Sequence, residues 1–154
     1  MRKKRNYLGE PYWGAIVLDF LRILHSDNLS SAEYKIFFFL TDKMSRSDNR
    51  VDMKQSVIST YLNMDKATVS KAIKRLCELQ WILKLSTGSF MVNPHLIYVG
   101  NRGIERVRDN FDRFLEQKGL PERFEMNDAN RELMVYFNHQ LVSEKKSSSK
   151  PLPF

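Results

Sequence analysis

The fold is decided by residues 51–93, VDMKQSVISTYLNMDKATVSKAIKRLCELQWILKLSTGSFMVN. Apolar side chains recur at helical spacing between Val57 and Leu62, and the step Asn63-Met64-Asp65 then interrupts the pattern. Asp65 suits the N-cap of a second helix over residues 66–79, because its carboxylate can accept free backbone N–H groups. The stretch therefore predicts two helices separated by a tight turn.

The second predicted helix has two distinct faces when its residues are placed about 100° apart around the axis. One face is small and branched, as a helix packed against two others requires. The other face carries short polar side chains near its start and cations further on. A DNA-recognition helix uses such a face, because its N-terminal residues reach base edges and its cations meet phosphates. The predicted buried residues are Val69, Ala72, Ile73, Leu76 and Gln80.

A short hairpin is predicted directly after this helix. Residues 81–85, WILKL, are rich in strand formers, residues 86–89, STGS, have turn chemistry, and residues 90–92 form a second strand. Val51 is placed to add a further short strand. The predicted fold class is mainly α with a small β hairpin, a winged helix-turn-helix with additional N- and C-terminal helices.

Duplex DNA is the partner expected for this unit. Cations alone would indicate an ordinary solvated helix, because lysines line most exposed faces. Their position just before a hairpin favours DNA binding instead. The hairpin has no Lys or Arg between Ser86 and Ser89, so its turn offers hydroxyl and backbone N–H groups. The candidate DNA-binding residues are Gln55, Lys66, Ala67, Thr68, Ser70, Lys71, Lys74, Arg75, Lys84, Ser86, Thr87 and Gly88.

Positive charge is concentrated in the part of the chain that holds this unit. Residues 1–102 contain 16 Lys/Arg and 9 Asp/Glu, whereas residues 103–154 contain nine of each. The whole formal net charge of +7 thus belongs to the first part. Segregation of this kind is the electrostatic footprint expected of a phosphate-binding surface.

A length of 154 residues corresponds to one domain with extensions. The single cysteine, Cys77, excludes an internal disulfide and is interpreted as a small apolar residue in a reducing compartment, the bacterial cytoplasm. No apolar run approaches the roughly 20 residues that span a bilayer, so no membrane contact is expected. We expect a basic arm over residues 1–10, the winged helix with its N-terminal helix over 11–102, C-terminal helices over 103–142 and a disordered tail over 143–154.

Two helices are predicted before the decisive stretch. The first has apolar residues at helical spacing from Trp13 to Leu24. The second begins at a capping box formed by Ser30 and Glu33, in which each side chain accepts a backbone N–H of the other residue. It runs to about residue 44 and is expected to pack under the helix-turn-helix.

Two more predicted helices lie near the C-terminus and bear on oligomerisation. Apolar residues in 104–114 alternate steps of three and four, as in a coiled-coil seam that either covers the core or pairs with a second subunit. Residues 128–141 have the pattern of a final amphipathic helix. Winged helices commonly pair so that two recognition helices lie about 34 Å apart, and we therefore expect a homodimer. The candidate dimerisation residues are Trp13, Ile16, Phe20, Ile104, Val107, Phe111 and Phe114.

Residues 87–100, TGSFMVNPHLIYVG, resemble a signature that follows the wing in RepL-type Firmicute plasmid replication proteins. The shared pattern is TG-x-x-M-x-NP-x-L…G, and the likeness extends over about residues 35–114. Pro94 also has a physical role, because proline cannot continue the ladder of a sheet and so ends the second hairpin strand. The resemblance implies a plasmid-encoded protein that supports replication by binding its origin, with host replication proteins as further partners.

The sequence offers no pattern for catalysis, a metal or another cofactor. His25, His95 and His139 are its only histidines, and none forms the closely spaced pair of a rolling-circle nickase. Phosphate loops, zinc-ligand spacing and nucleophile elbows are also missing. We therefore expect a replication initiator without enzyme activity. The alternative is a dimeric MarR-like transcriptional regulator that binds a palindromic operator.

Overall fold

The computed structural model describes residues 15–99, 103–127, 129–130, 132–137 and 140–141, which form a mixed α/β fold. These residues contain five helices: α1 Phe20–Asp27, α2 Ser31–Lys43, α3 Gln55–Leu62, α4 Lys66–Glu78 and α5 Ile104–Gln117. The same described ranges contain eight strands: β1 Ala15–Ile16, β2 Arg50–Asp52, β3 Ile82–Ser86, β4 Ser89–Val92, β5 Ile97–Tyr98, β6 Phe124–Asn127, β7 Glu132–Phe137 and β8 Gln140–Leu141. They form small antiparallel sheets in the orders β1-β5, β2-β4-β3 and β6-β7-β8. The hairpin and the short strand at Val51 are confirmed, and the other strands were not predicted.

Helices α2, α3 and α4 begin and end close to where the local sequence predicts. Ser30 and Glu33 form the expected capping box at the start of α2, with both hydrogen bonds at 3.2 Å. Asn63 ends α3 in the left-handed conformation, which asparagine adopts more readily than most residues. Asp65 occupies the N-cap position of α4, although its side chain forms no capping bond. The predicted tight turn between α3 and α4 is therefore confirmed.

The central sheet, β2-β4-β3, contacts a hydrophobic core on each face. Ile82, Phe90 and Val92 join the main core, to which α1, α2, α3 and α4 contribute buried side chains. Leu83 and Met91 point to the opposite face, because successive side chains of a strand alternate between faces. There they pack with buried residues of α5. The apolar seam of α5 therefore covers the core, which is one of the two roles considered for it.

Trp81 lies fully buried at the centre of the main core. The rings of Phe20 and Phe37 pack edge-on against it, with centroid distances of 4.7 and 5.0 Å. Its indole N–H donates to the Asp27 carboxylate at 2.6 Å, and Arg123 donates to the same carboxylate at 2.6 and 2.9 Å. Asp27 thus joins α1, the start of the hairpin and the segment before β6.

The prediction of a helix over residues 128–141 is wrong. Strand β7 occupies much of this range and pairs antiparallel with β6, placing Leu133 opposite Met126. Leu133 is buried and Val135 is half-buried against the same core. Leu133 and Val135 are two residues apart, which is the spacing of one face of a strand. The segment also contains valine, tyrosine and phenylalanine, which favour strands.

The N-terminal helix is shorter than predicted. It begins only at Phe20, and the residues before it, Ala15–Ile16, pair as a strand with Ile97–Tyr98. Trp13, the basic arm and the tail over residues 143–154 lie outside the described residues. Among the helices that the structure describes, none has the length and apolar character needed to cross a membrane.

Candidate nucleic-acid interface

Helix α4 exposes the polar face predicted for it. Its buried residues are those expected, and they pack into the main core rather than toward solvent. Within the described part of the chain, the three lysines of the opposite face form no ion pair, so their charge is available to a ligand. The exposed residues are Lys66, Ala67, Thr68, Ser70, Lys71 and Lys74, which we call the α4 face.

Arg75 differs from these lysines because the chain itself binds its guanidinium. The group pairs with the Glu33 carboxylate at 2.5 Å and donates to the carbonyl oxygen of Asp27 at 2.8 Å. The Arg75 side chain is 40% exposed, whereas that of Glu33 is only 7% exposed. The sequence grouped Arg75 with the phosphate-binding cations, but the structure places it in a contact that fixes α4 against α1 and α2.

Glu33 is ionised in this contact. Burial by itself raises the pKa of its carboxyl group, but hydrogen bonds from Arg75 and Ser30 outweigh burial and leave the pKa below its ordinary value. One carboxylate therefore serves both the capping box of α2 and the guanidinium of α4. A loss of its charge would weaken both attachments.

The tip of the hairpin is held against the start of α3. The Gly88 carbonyl accepts the Met53 N–H at 2.8 Å. Gly88 has a φ of +76°, and an added Cβ would lie 3.2 Å from the Cγ atom of Lys54. The positive φ therefore favours glycine here, and a larger residue would also press against the stem of Lys54. Among the predicted hairpin and α3 contacts, Lys84, Ser86 and Thr87 are exposed, whereas Gly88 and Gln55 are half-buried.

Lys54 is a cation near this tip that the sequence analysis did not select. It is exposed, it occupies the N-cap position of α3, and its stem lies beside Gly88. Its position between a strand and the start of a helix could have indicated a phosphate contact, because the N-terminal end of a helix attracts anions. Lys54 therefore adds an exposed positive charge beside the tip of the hairpin.

The predicted dimerisation residues lie in mixed environments. Phe20, Val107 and Phe111 are buried within the chain itself, so they already have packing partners. Ile104 and Phe114 are half-buried beside α5's core, and Ile16 is 42% exposed in β1. A homodimer stays a prediction, and of the described residues in this set Ile16 is the most exposed.

Cys77 and His95 lie in environments that indicate structural roles. Burial raises the pKa of the Cys77 thiol to about 11, so it is protonated at neutral pH. His95 Nδ1 accepts the Met126 N–H at 2.9 Å, which leaves Nε2 to donate to Asp112 at 2.9 Å. In the described ranges, no group of three or more His, Cys, Asp or Glu residues could hold a metal ion.

A helix pair that exposes hydroxyl groups and lysines on its second helix, followed by a hairpin, is typical of proteins that bind nucleic acid. The comparison with known families gives a more specific result. The chain belongs to the RepL family of Firmicute plasmid replication proteins, whose family model matches residues 17–134. This match confirms the resemblance and covers more of the chain than the signature predicted. No curated protein and no solved structure matches the chain.

Proposed function

We propose that this protein initiates plasmid replication by binding duplex DNA at its origin through the α4 face. The observation that carries the proposal is the exposure of three lysines, which form no ion pair with any described residue, beside two hydroxyl side chains on one helix of a plasmid replication protein. The segregation of the whole net positive charge into residues 1–102 supports the same surface.

The proposed complex is that of a winged helix-turn-helix. Helices α3 and α4 form the helix-turn-helix, and the β3-β4 hairpin is the wing. Thr68 and Ser70, near the N-terminus of α4, hydrogen-bond to base edges in the major groove. Lys66, Lys71 and Lys74 contact phosphates, and the wing adds Lys84 and hydroxyl groups rather than an arginine.

In this proposal the protein binds the origin and recruits host replication proteins in the bacterial cytoplasm. Those host proteins catalyse DNA synthesis. A homodimer would present two copies of α4 to major grooves about 34 Å apart. The family match favours this role over that of a MarR-like regulator, since the family is one of plasmid replication proteins. Repeated sites in an origin, rather than a palindrome over a promoter, are the expected target.

The proposal is tested by a footprint of the purified protein over its own gene and the flanking DNA. The protected fragment should support autonomous replication in cells that supply the protein. A protected promoter palindrome that does not support replication would contradict the initiator role.

The α4 face is tested separately with Lys74→Ala. The variant should bind all duplexes more weakly, and the slope of log K against log salt should fall by about 0.9 for one lost phosphate contact. Arg113→Ala is the matched control, because Arg113 is exposed on α5 among Asp109, Asp112 and Glu116. An equal salt slope in the two variants would exclude Lys74 from the interface.

A further inference from the structure

A partly exposed aromatic surface, formed by half-buried Phe39 and exposed Tyr61, lies where α2 meets α3. The rings of Phe39 and Tyr61 are in contact, with their centroids 5.6 Å apart and their planes tilted by 43°. Lys43 Nζ lies 5.8 Å from the Phe39 centroid and 5.7 Å from that of Tyr61. Val57, one turn before Tyr61 on α3, is 40% exposed. We call Phe39, Lys43, Val57 and Tyr61 the aromatic–lysine patch.

Tyr61 contributes little to the stability of the chain in this position. It is 64% exposed, and within the described residues its hydroxyl group has no hydrogen-bond partner. A fully folded core does not require an aromatic ring there, because most of its apolar area is still in contact with water. Exposed apolar side chains that cluster, rather than occur singly, indicate a binding surface.

The charges around the patch favour an anionic partner. Lys35, Phe39 and Lys43 follow each other at four-residue intervals on α2, so a cation lies on each side of the ring on the same helix face. Asp42 pairs with Lys43, with its carboxylate 3.5 Å from Lys43 Nζ. Both partners are exposed, at 41% for Lys43 and 73% for Asp42, and such surface pairs are weak. Lys43 can therefore exchange this contact for a phosphate.

We propose that the aromatic–lysine patch binds single-stranded DNA, with an unpaired base stacked on Tyr61 and phosphates beside Lys43 and Lys35. Every base has a π-face, and aromatic rings flanked by cations are the common means of holding single strands. A protein partner is disfavoured, because lysine is depleted at protein interfaces and stable interfaces need a much larger surface than two rings and a valine.

The aromatic–lysine patch shares no residue with the α4 face. Binding of a single strand to the patch does not require duplex binding by the α4 face. In biological terms, the inference extends the proposed function. A protein that binds duplex DNA through one surface and an unpaired strand through another would hold an opened origin in place. The two activities are separable by mutation, because their residues lie on different helices.

The test measures the binding of the full-length protein to a fluorescent oligothymidylate of about 16 nucleotides, the upper site size of comparable modules. Tyr61→Ala should weaken this binding roughly 5- to 100-fold through the loss of one stacked base, whereas Tyr61→Phe should remain within about twofold of the unaltered protein. Lys43→Ala should lower the salt slope by about 0.7 for one phosphate. Lys74→Ala, the matched variant of the α4 face, should weaken duplex binding only.

The proposal fails if Tyr61→Ala and Lys43→Ala both bind the oligonucleotide as tightly as the unaltered protein does. It also fails if each variant loses single-strand and duplex binding in equal measure, since the patch would then belong to the duplex site. Lost plasmid replication with unchanged oligonucleotide affinity would assign the patch to a protein partner. Thermal unfolding of each variant verifies that these exposed substitutions leave the fold intact.

Discussion

The segment from α2 to β4 and the segment from α5 to β7 use their cations in different ways. In the first, Lys66, Lys71 and Lys74 are exposed and unpaired within the described residues. In the second, Arg108 is buried against a backbone carbonyl, and Arg123 binds the buried carboxylate of α1. The three α4 lysines of the first segment therefore remain available to a ligand, whereas Arg108 and Arg123 of the second, like Arg75 of the first, hold the chain together. Net charge alone would not distinguish these uses.

The largest expected effect follows from removing the carboxylate that joins the two segments. Asp27→Ala leaves the Arg123 guanidinium and the Trp81 indole N–H without their shared acceptor. Breaking a buried pair of this kind should lower the free energy of unfolding by about 3–4 kcal/mol. Urea unfolding, followed by Trp fluorescence and circular dichroism, measures the loss.

Asp27→Asn is the graded control for this change. It keeps one acceptor oxygen and the shape of the side chain, so the loss should be about half as large. Coincident transitions by the two probes would show that both segments unfold together. Separate transitions would contradict the view that Asp27 joins them into one cooperative unit.

A smaller and more local effect is expected from His95→Ala. The substitution removes the acceptor of the Met126 N–H and the donor to Asp112, and a buried group left unsatisfied costs about 1–3 kcal/mol. Amide hydrogen exchange should become faster in β6 and unchanged in α3 and α4. His25→Ala, at an exposed position of α1, is the matched control. Faster exchange in α4 would show that the two segments are coupled through His95.

The smallest effect on stability is expected from Glu33→Gln, which removes the charge that holds Arg75. Because Arg75 is partly exposed, the loss should be about 1 kcal/mol at neutral pH. The pKa of Glu33 is lowered in the folded chain, so its contribution is fully present above the ordinary value of 4.5 and is lost as the pH falls through the folded pKa. The stability difference between variant and unaltered protein should therefore shrink on acidification below 4.5.

Glu33→Gln also tests which cations belong to the proposed DNA surface. If Arg75 positions α4 and does not contact phosphate, the variant should bind duplex DNA more weakly without a change in salt slope. A decrease in salt slope equal to that of Lys74→Ala would instead indicate that Arg75 contacts a phosphate.

Local sequence predicted the first segment well because its elements are determined by nearest neighbours. The capping box of Ser30 and Glu33, the left-handed Asn63 and the Asp65 N-cap position are set by residues within one turn of each other. The buried side of α4 followed from helical spacing alone. Each residue of the α4 face could accordingly be predicted as exposed, but the internal pairing of Arg75 could not be predicted.

The failures arose where a distant partner decides the conformation. Strand β7 carries apolar residues that fit a helix as well as a strand, and its pairing with β6 selects the strand. Ala15–Ile16 are a strand because of Ile97–Tyr98, which lie far along the chain. Arg75 is turned inward by Glu33, 42 residues before it. None of these partners is visible in the spacing of a single segment.

The covered second face of the central sheet has a consequence for how such genes diverge. Leu83 and Met91 are buried against α5. A recombination that transferred the helix pair and hairpin without α5 would therefore expose an apolar surface. If the α4 face binds the origin as proposed, new origin specificity would arise by point substitution at exposed positions such as Thr68 and Ser70. The α4 face would then be inherited together with α5 and would not be transferred alone.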